Sequence, residues 1–209
     1  TCYLYASEVK KALEILTSIY PLKGSDYFIH VSGVKFTYNP NRMLFDRVTE
    51  ILVGDEHAGY KLLDYSSNNK KLYRVSADIY NATFLKIIGN FTWHILDIVP
   101  KWRDGKPIES LKDARVDADK KKAGIQELKE WQGVIAYIQS FKDEDGDGIP
   151  DIPAMYKGKL GRIVVEASLN PYSMLKRGTT VTWIGFLVFL FVLAIVGGIV
   201  YAVVKRIRR

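Results

Sequence analysis

The segment with the clearest chemical potential is an acidic run, Asp143-Glu-Asp-Gly-Asp-Gly-Ile-Pro-Asp151. Aspartates occupy its positions 1, 3 and 5, and a glycine at position 6 permits a tight turn. Hard carboxylate oxygens at this spacing can wrap one calcium ion. The sequence therefore predicts a structural calcium site whose ligands are Asp143, Asp145, Asp147 and Asp151.

This run departs from an EF-hand. An EF-hand loop carries glutamate at position 12, which is Ala154 here, and the prolines of Ile149-Pro-Asp-Ile-Pro153 prevent an unbroken helix from following. The run looks instead like the acidic repeats of extracellular calcium-binding modules. The alternative is a solvated acidic turn whose glycines serve only the backbone. No histidine adjoins these carboxylates in the sequence, so a catalytic role is not expected.

Other residues that carry chemistry are sparse. His30, His57 and His94 are scattered over a predicted strand, loop and helix, so each is expected to be structural or exposed. Cys2 is the only cysteine, which excludes an internal disulfide and any cysteine-based zinc cluster.

The positive charge is concentrated at one end of the chain. The 209 residues include 30 Lys and Arg against 23 Asp and Glu, and six of the basic residues follow Leu175 with no acid among them. The remainder is close to neutral, and it shows no basic stripe interleaved with stacking aromatics. Nucleic acid is therefore not an expected partner.

A long uncharged segment near the C-terminus predicts a membrane anchor. Residues 178–204 carry no charge, and about 20 apolar residues suffice to cross the hydrocarbon core as a helix. We predict a membrane-proximal linker at 156–180, a transmembrane helix at 181–204 and a basic tail at 205–209. Because basic residues favour the cytoplasmic side, the tail is expected inside and the residues before Lys176 outside the cell membrane, in a single-pass arrangement.

The remaining sequence predicts an α+β domain. Apolar residues at helical spacing over 7–20 favour a helix that ends at Pro21. Runs rich in β-branched and aromatic residues predict strands at 27–31, 34–38, 48–53 and 72–76. A second helix is predicted over 78–93. We place one domain at 1–100.

A helical extension with the acidic loop is predicted at 101–155. Its apolar residues recur at helical spacing, which indicates a helix that packs on the domain. These residues are Ile125, Leu128, Trp131, Ile135 and Ile138. The N-terminus has neither a basic start nor an apolar export signal, so an upstream region is expected before Thr1.

Four segments, in order and spacing, resemble the C-terminal domain of the 5'-nucleotidase family over roughly residues 1–80. They are Glu8-Val-Lys-Lys-Ala-Leu-Glu14, Tyr27-Phe-Ile-His-Val-Ser-Gly-Val-Lys-Phe-Thr-Tyr38, Asp46-Arg-Val-Thr-Glu-Ile51 and Leu72-Tyr-Arg-Val-Ser76. The run Glu127-Leu-Lys-Glu-Trp-Gln-Gly-Val-Ile-Ala-Tyr-Ile138, with the acidic loop after it, is similar to the extension on bacterial members. The ordered set carries the resemblance.

The resemblance implies a two-domain ectoenzyme. An upstream metallophosphoesterase domain would hold a pair of divalent metals that polarises the phosphate and supplies the attacking hydroxide. The C-terminal domain would grip the nucleoside. In this chain Gly89-Asn90 is followed by Phe91, where the metal motif of the family has a histidine–acid pair. Whether the whole protein is an enzyme is therefore open, and this chain alone is expected to hydrolyse nothing.

The resemblance also suggests where a nucleotide would bind. In the family, one base-stacking aromatic follows a glycine-rich turn after the strand similar to residues 73–76. Here Asp78-Ile-Tyr-Asn-Ala-Thr-Phe-Leu85 replaces that turn. Tyr80 and Phe84 are the candidates for binding substrate by stacking on its base, and the alternative is that both pack in the core.

Two functions follow as expectations. The chain is the non-catalytic, substrate-side portion of a membrane-anchored, extracytoplasmic 5'-nucleotidase-like phosphoesterase. Alternatively, it is a non-enzymatic accessory or structural subunit, descended from that domain, that docks to other subunits of a membrane complex.

The membrane orientation is directly testable. Protease added to intact cells should remove residues 1–175, because the basic tail favours a cytoplasmic C-terminus, while an epitope placed after Arg209 stays protected. A domain that survives until the cells are lysed would reverse the orientation.

Overall fold

The computed structural model describes residues 1–24, 30–92, 94 and 96–208. The chain is mixed helix and sheet with one long apolar helix at its C-terminal end, which confirms the predicted class at this level. It divides into two compact units: unit 1 is Thr1–Ala12 with Leu63–Arg162, and unit 2 is Leu13–Leu62 with Ile163–Arg209. The two units differ from the predicted domains, whose boundaries were placed after residues 100 and 155. Along the sequence, residues 63–162 of unit 1 lie between the two segments of unit 2.

Unit 1 contains a two-stranded antiparallel sheet and two helices. Strand β1 (Cys2–Tyr5) pairs with β5 (Leu72–Val75), and helices α2 (Ile79–Phe91) and α3 (Glu130–Ile138) follow. Short 3₁₀ helices occupy Leu111–Ala114 and Ala154–Lys157. The buried apolar residues of this unit are Leu4, Ala6, Leu63, Ile88, Leu96, Ile98, Ile108 and Ala114.

A buried ion pair organises this unit. The Lys101 Nζ lies 2.6 Å from the Glu8 Oε1, and both side chains are 9% exposed. The same carboxylate accepts hydrogen bonds from the backbone N–H groups of Val99 and Tyr5, at 3.0 and 2.8 Å. Lys101 also exchanges backbone hydrogen bonds with Tyr3 of β1. Because these bonds saturate the carboxylate, the cost of burying its charge is offset.

Unit 2 contains a four-stranded sheet in the order β4-β3-β2-β6. Strands β2 (Val34–Tyr38), β3 (Val48–Asp55) and β4 (Gly59–Leu62) are antiparallel neighbours, whereas β6 (Ile163–Val165) pairs in parallel with β2. A Cβ at Gly54 would lie 2.0 Å from the carbonyl oxygen of Gly59, so this hairpin requires glycine there. The buried apolar residues are Leu13, Ile15, Leu16, Phe36, Tyr38, Val48 and Ile51.

Helix α1 (Ala6–Lys23) is longer than its sequence pattern predicts, because it continues through Pro21. Proline has no N–H to donate to the carbonyl four residues earlier, which belongs to Thr17. The Arg47 guanidinium donates to that carbonyl instead, at 2.9 Å. The helix then ends before Gly24, whose positive φ of 96° suits a residue without a side chain.

The Glu14 carboxylate fixes the entry to β3. Its two oxygens accept the backbone N–H groups of Arg47, at 2.7 Å, and Val48, at 2.9 Å. Glu14 is 1% exposed, so water cannot replace these bonds. The Ser18 hydroxyl accepts the N–H of Phe45 at 2.9 Å, one turn further along α1.

We define residues 39–47, between β2 and β3, as the 39–47 loop. It joins the sheet to the end of unit 2 that contains helices α4 (Pro171–Leu175) and α5 (Thr180–Ile207). The Asp46 carboxylate accepts hydrogen bonds from the Thr179 N–H at 2.6 Å and the Thr182 hydroxyl at 2.5 Å. The Arg42 guanidinium donates to the carbonyls of Ser173, at 3.1 Å, and Lys176, at 2.7 Å. The start of α5 is therefore held to the loop by hydrogen bonds.

The structure confirms several predicted elements. Strands β2, β3 and β5 lie where the sequence placed them, and α2 begins after Asp78, whose carboxylate caps the N–H of Asn81. The predicted strand at 27–31 falls mainly on residues 27–29, which lie outside the described residues. Strands β1, β4 and β6 were not predicted.

The predicted packing of the extension helix is wrong. Helix α3 starts at Glu130, so Ile125 and Leu128 precede it, and it buries none of its residues. Among the five apolar residues predicted to pack, the exposed fraction ranges from 37% for Ile138 to 62% for Trp131. Helical periodicity identified an apolar face correctly, but periodicity does not show whether that face is covered.

Replacement of Glu14 tests the importance of its carboxylate. Glu14→Ala leaves the backbone N–H groups of Arg47 and Val48 without an acceptor, at about 1–3 kcal/mol each, so the free energy of unfolding should fall by about 2–6 kcal/mol. Urea unfolding of the full chain in detergent measures this change. Glu50→Ala is the control, because its carboxylate is exposed and its ion pair with Arg177 contributes less than about 1 kcal/mol. Equal effects of the two substitutions would contradict this role.

Candidate functional site

The acidic loop gathers three of its four predicted ligands. Carboxylate oxygens of Asp143, Asp145 and Asp151 all lie within 4.8 Å of one another. Oxygens that share one calcium ion each lie about 2.3–2.6 Å from it, so this separation suits a common ion. Asp147 is outside the group, and its carboxylate accepts the N–H of Ile149 at 2.7 Å.

Backbone hydrogen bonds shape the loop around Asp143. The two oxygens of this side chain accept the N–H groups of Gly146, at 2.7 Å, and Gly148, at 2.9 Å. Both glycines have positive φ, which other residues adopt less readily. The N–H of Gly148, followed by that of Gly146, lowers the pKa of Asp143 below its ordinary value. The carboxylate is therefore ionised at neutral pH, which is the form that a metal ligand requires.

Aromatic residues join the two ends of the loop. Tyr137 and Phe141 precede the loop, Tyr156 follows it, and their ring centroids lie 4.9–6.4 Å apart. The hydroxyls of Tyr137 and Tyr156 are hydrogen-bonded, which raises the pKa of Tyr156. The N–H of Asp151 donates to the carbonyl of Lys142 at 2.8 Å. The loop thus has a defined base, although its carboxylates are largely exposed.

A second feature is a cleft of about 460 Å³ in unit 1. It is lined by the paired ends of β1 and β5, where Cys2 is opposite Val75. The first turns of α2 also line it. A third part of the lining is an antiparallel pairing of two segments, in which the N–H of Leu128 donates to the carbonyl of Val116 at 2.9 Å. Ligand pockets span about 300–1,000 Å³, so a nucleoside-sized molecule fits this volume.

The cleft combines apolar surface with charged residues. Val75, Ile79 and Leu128 supply apolar surface. The charged lining residues are Asp78, Arg115, Glu127, Lys129 and Glu130. Burial raises the pKa of the Cys2 thiol, so this side chain stays protonated and is a poor nucleophile. The arrangement is suited to binding rather than to covalent chemistry.

The predicted base-stacking residues are not in this lining. Tyr80 is 76% exposed on the first turn of α2, and Phe84 is half-buried one turn later. Ile79 and Ala82 of the same helix face the cleft instead. A stacking role for Tyr80 or Phe84 stays a prediction.

Sequence reasoning missed the charged residues of the cleft. Arg115, Glu127 and Lys129 carry no local motif, and only the pairing of residues 116 and 128 brings them to the β5–α2 connection. No signal within any one segment of the sequence marks them.

Among the described residues, no histidine lines the cleft or belongs to the acidic cluster. His57 is in the β3–β4 turn, and the chain's single Asp-x-His match, Asp55-Glu-His57, uses its aspartate to accept the N–H groups of His57 and Ala58. His94 follows α2 and its Nδ1 lies 2.8 Å from Asp97 Oδ2. His30 is exposed. Within the part of the chain that the structure describes, the acidic loop is the only group of three or more such residues placed to share a metal ion.

No protein-family model, curated protein or solved structure matches this chain.

Removal of the converging carboxylates tests the calcium prediction. Calcium at about 100 times its dissociation constant should stabilise the full chain by roughly 2.7 kcal/mol, and chelator should lower Tm. Asp143→Asn and Asp145→Asn should abolish the response. Asp119→Asn should preserve it, because Asp119 pairs with Lys122 outside the loop. An unchanged melting curve in chelator, with no bound calcium by elemental analysis, would contradict the prediction.

The hydrogen bonds to Asp143 also predict how the stability of the loop depends on pH. The pKa of Asp143 is lower in the folded state than in the unfolded state. The contribution of its carboxylate to folding stability is therefore complete above the ordinary aspartate pKa of about 3.9, and it is lost as the pH falls through the folded-state pKa. Carboxylate NMR titration without calcium should place the Asp143 midpoint below the ordinary aspartate value of about 3.9.

Proposed function

We propose that this chain is the membrane-anchored, substrate-side portion of a 5'-nucleotidase-like phosphoesterase that acts outside the cytoplasm, and that it binds the nucleoside without hydrolysing the phosphate ester. The observation that carries this proposal is the cleft at the β5–α2 connection. The resemblance to the nucleotidase C-terminal domain puts a nucleoside contact at the same point of the chain. A ligand-sized cleft at this position supports a binding role.

The chemistry of the lining suits a nucleoside. A flat base would lie against Val75, Ile79 and Leu128, whereas the ribose hydroxyls would donate to carboxylates. Glu127 and Glu130 are such acceptors. Arg115 and Lys129 would attract a phosphate.

The proposal assigns catalysis to an upstream metallophosphoesterase domain. Hydrolysis by the two-metal route requires several histidine and carboxylate ligands around a pair of ions. The acidic loop offers three aspartates at one point, two of them exposed, in a geometry suited to calcium. Calcium there would brace the segment between α3 and the membrane-proximal residues.

The anchor is the longest helix in the chain. Among the described residues, α5 is the one helix long and apolar enough to cross a membrane. Its first turn is bonded to the 39–47 loop through Asp46. We propose that α5 spans the cell membrane once, with its basic C-terminal end in the cytoplasm.

A second candidate function is a non-enzymatic subunit that docks to other membrane proteins. The exposed apolar face of α3 favours it, since Trp131, Val134 and Ile135 are each at least 47% exposed. Contiguous apolar surface of this kind marks interaction sites. In the first proposal the same face would contact the upstream metallophosphoesterase domain.

Titration with adenosine separates the two functions. The full chain in detergent should bind adenosine, measured by calorimetry, and Ala82→Phe should weaken binding at least about tenfold because the added ring fills the cleft. Ala136→Phe on α3 is the matched control and should have no effect. A decrease of about 1–3 kcal/mol in the binding free energy of adenosine in Tyr80→Ala would support stacking by this residue.

The same preparation should release no phosphate from AMP with manganese, zinc or calcium. Failure of adenosine to bind the native chain at millimolar concentration would contradict the first function and leave the second. Metal-dependent turnover that is lost in His57→Ala would show that the chain carries its own catalytic site.

A further inference from the structure

The position of the 39–47 loop beside α5 carries an inference about lipid contact, which rests on the membrane anchor proposed above. Gly185 lies in the second turn of α5, and a Cβ added there would stand 1.9 Å from the Met43 Sδ. Met43 therefore occupies the space that a larger residue at 185 would need. The loop contacts α5 beyond its first turn.

The depth of this contact in a bilayer follows from the length of the helix. Helix α5 has 28 residues, whereas the hydrocarbon core needs about 20 at ~1.5 Å rise each. Lys205 is the first charged residue after the apolar run, so the core ends near Val204. Counting back about 20 residues from Val204 reaches Gly185. Met43 thus lies at the opposite edge of the hydrocarbon core, on the side of unit 2.

The residues near the N-terminal end of α5 are of the types that favour the boundary between water and a lipid bilayer. Trp183, 50% exposed on α5, would lie in the headgroup region, where tryptophan is enriched. Lys176 and Arg177 precede α5 and would lie among the phosphates. Thr182 is 5% exposed because it is bonded to Asp46, so its polar group is already satisfied within the protein.

The tip of the loop is apolar and uncovered. Met43 is 43% exposed and Leu44 is 40% exposed. A single exposed leucine needs no explanation on a soluble surface. At the edge of the hydrocarbon core, however, the same side chain meets lipid and gains by leaving water.

The loop is also held in one conformation. Phe45 has a positive φ of 65°, which is uncommon for a bulky residue, and its N–H donates to the Ser18 hydroxyl. Arg42 precedes Met43 and Asp46 follows Phe45, and both residues are buried and form an ion pair with each other. Met43 and Leu44 therefore stand on a fixed base.

We propose that Met43 and Leu44 insert into the lipid leaflet on the side of unit 2, so that the 39–47 loop is a second membrane contact beside the transmembrane helix. The partner is the lipid at the boundary between headgroups and acyl chains. This contact restrains unit 2 at the bilayer surface at two points.

Depth-dependent quenching tests this contact. Leu44→Cys, Leu62→Cys and Val192→Cys are each labelled with an environment-sensitive fluorophore in the full chain and reconstituted in phosphatidylcholine vesicles. Leu62 is the matched control, a leucine 55% exposed on β4, at the edge of the sheet opposite β6. The native chain, taken through the same labelling, measures any signal from Cys2.

A nitroxide placed near the top of the lipid acyl chain should quench the probe at position 44 and leave the probe at position 62 unaffected. A nitroxide near the end of the chain should quench the probe at position 192. Quenching at 192 with none at 44, or equal quenching at 44 and 62, would overturn the loop contact alone. An unquenched probe at 192 would overturn the membrane anchor and the loop contact with it.

Discussion

The buried pairing of Asp46 with the start of α5 is the interaction on which the C-terminal end of unit 2 depends. Asp46 and the Arg42 guanidinium have fully buried side chains with 3.5 Å between the closest charged atoms. Isolated buried charges are unstable, so these two persist because Thr179 and Thr182 donate to Asp46 and backbone carbonyls accept from the Arg42 Nε and Nη1. The Arg42 Nη2 has the ion pair with Asp46 but no hydrogen bond. The carboxylate also lies at the positive end of the helix dipole. Removing this group would take away the hydrogen bonds that hold the first turn of α5 to the 39–47 loop.

Local patterns were sufficient for some elements. Strand β2 alternates and helix α5 is uniformly apolar, so each reveals its type within its own residues. The continuation of α1 through Pro21 was not predictable locally, because Arg47, 26 residues later, satisfies the Thr17 carbonyl. Strand β6 has only three residues and forms because β2 offers it a parallel edge. The uncovered face of α3 likewise depends on what packs elsewhere.

The acidic loop and the cleft also differ in how far each can be predicted from local sequence. The acidic loop is contiguous in sequence, so residue spacing alone predicted the three carboxylates that converge. That Asp147 accepts the N–H of Ile149 and stays outside the group is seen only in the folded loop. The cleft draws on β1, β5, α2 and the paired segments near residues 116 and 128. No single segment contains enough of it to be recognised. The family resemblance predicts a nucleoside contact at the connection between β5 and α2, where the cleft also lies, but it does not identify the side chains that line the cleft.

The parallel pairing of β2 with β6 imposes an order on folding. Phe36 is opposite Ile163, so nearly all of unit 1 must be synthesised before this edge of the sheet of unit 2 can close. Pairings between residues so distant in sequence form late, because a long chain segment must first be brought together. Until then β2 presents an unpaired edge, which is prone to association with other strands. Strand β6 precedes α5 by only a short segment, so the sheet becomes complete at nearly the same stage of synthesis as the long apolar helix.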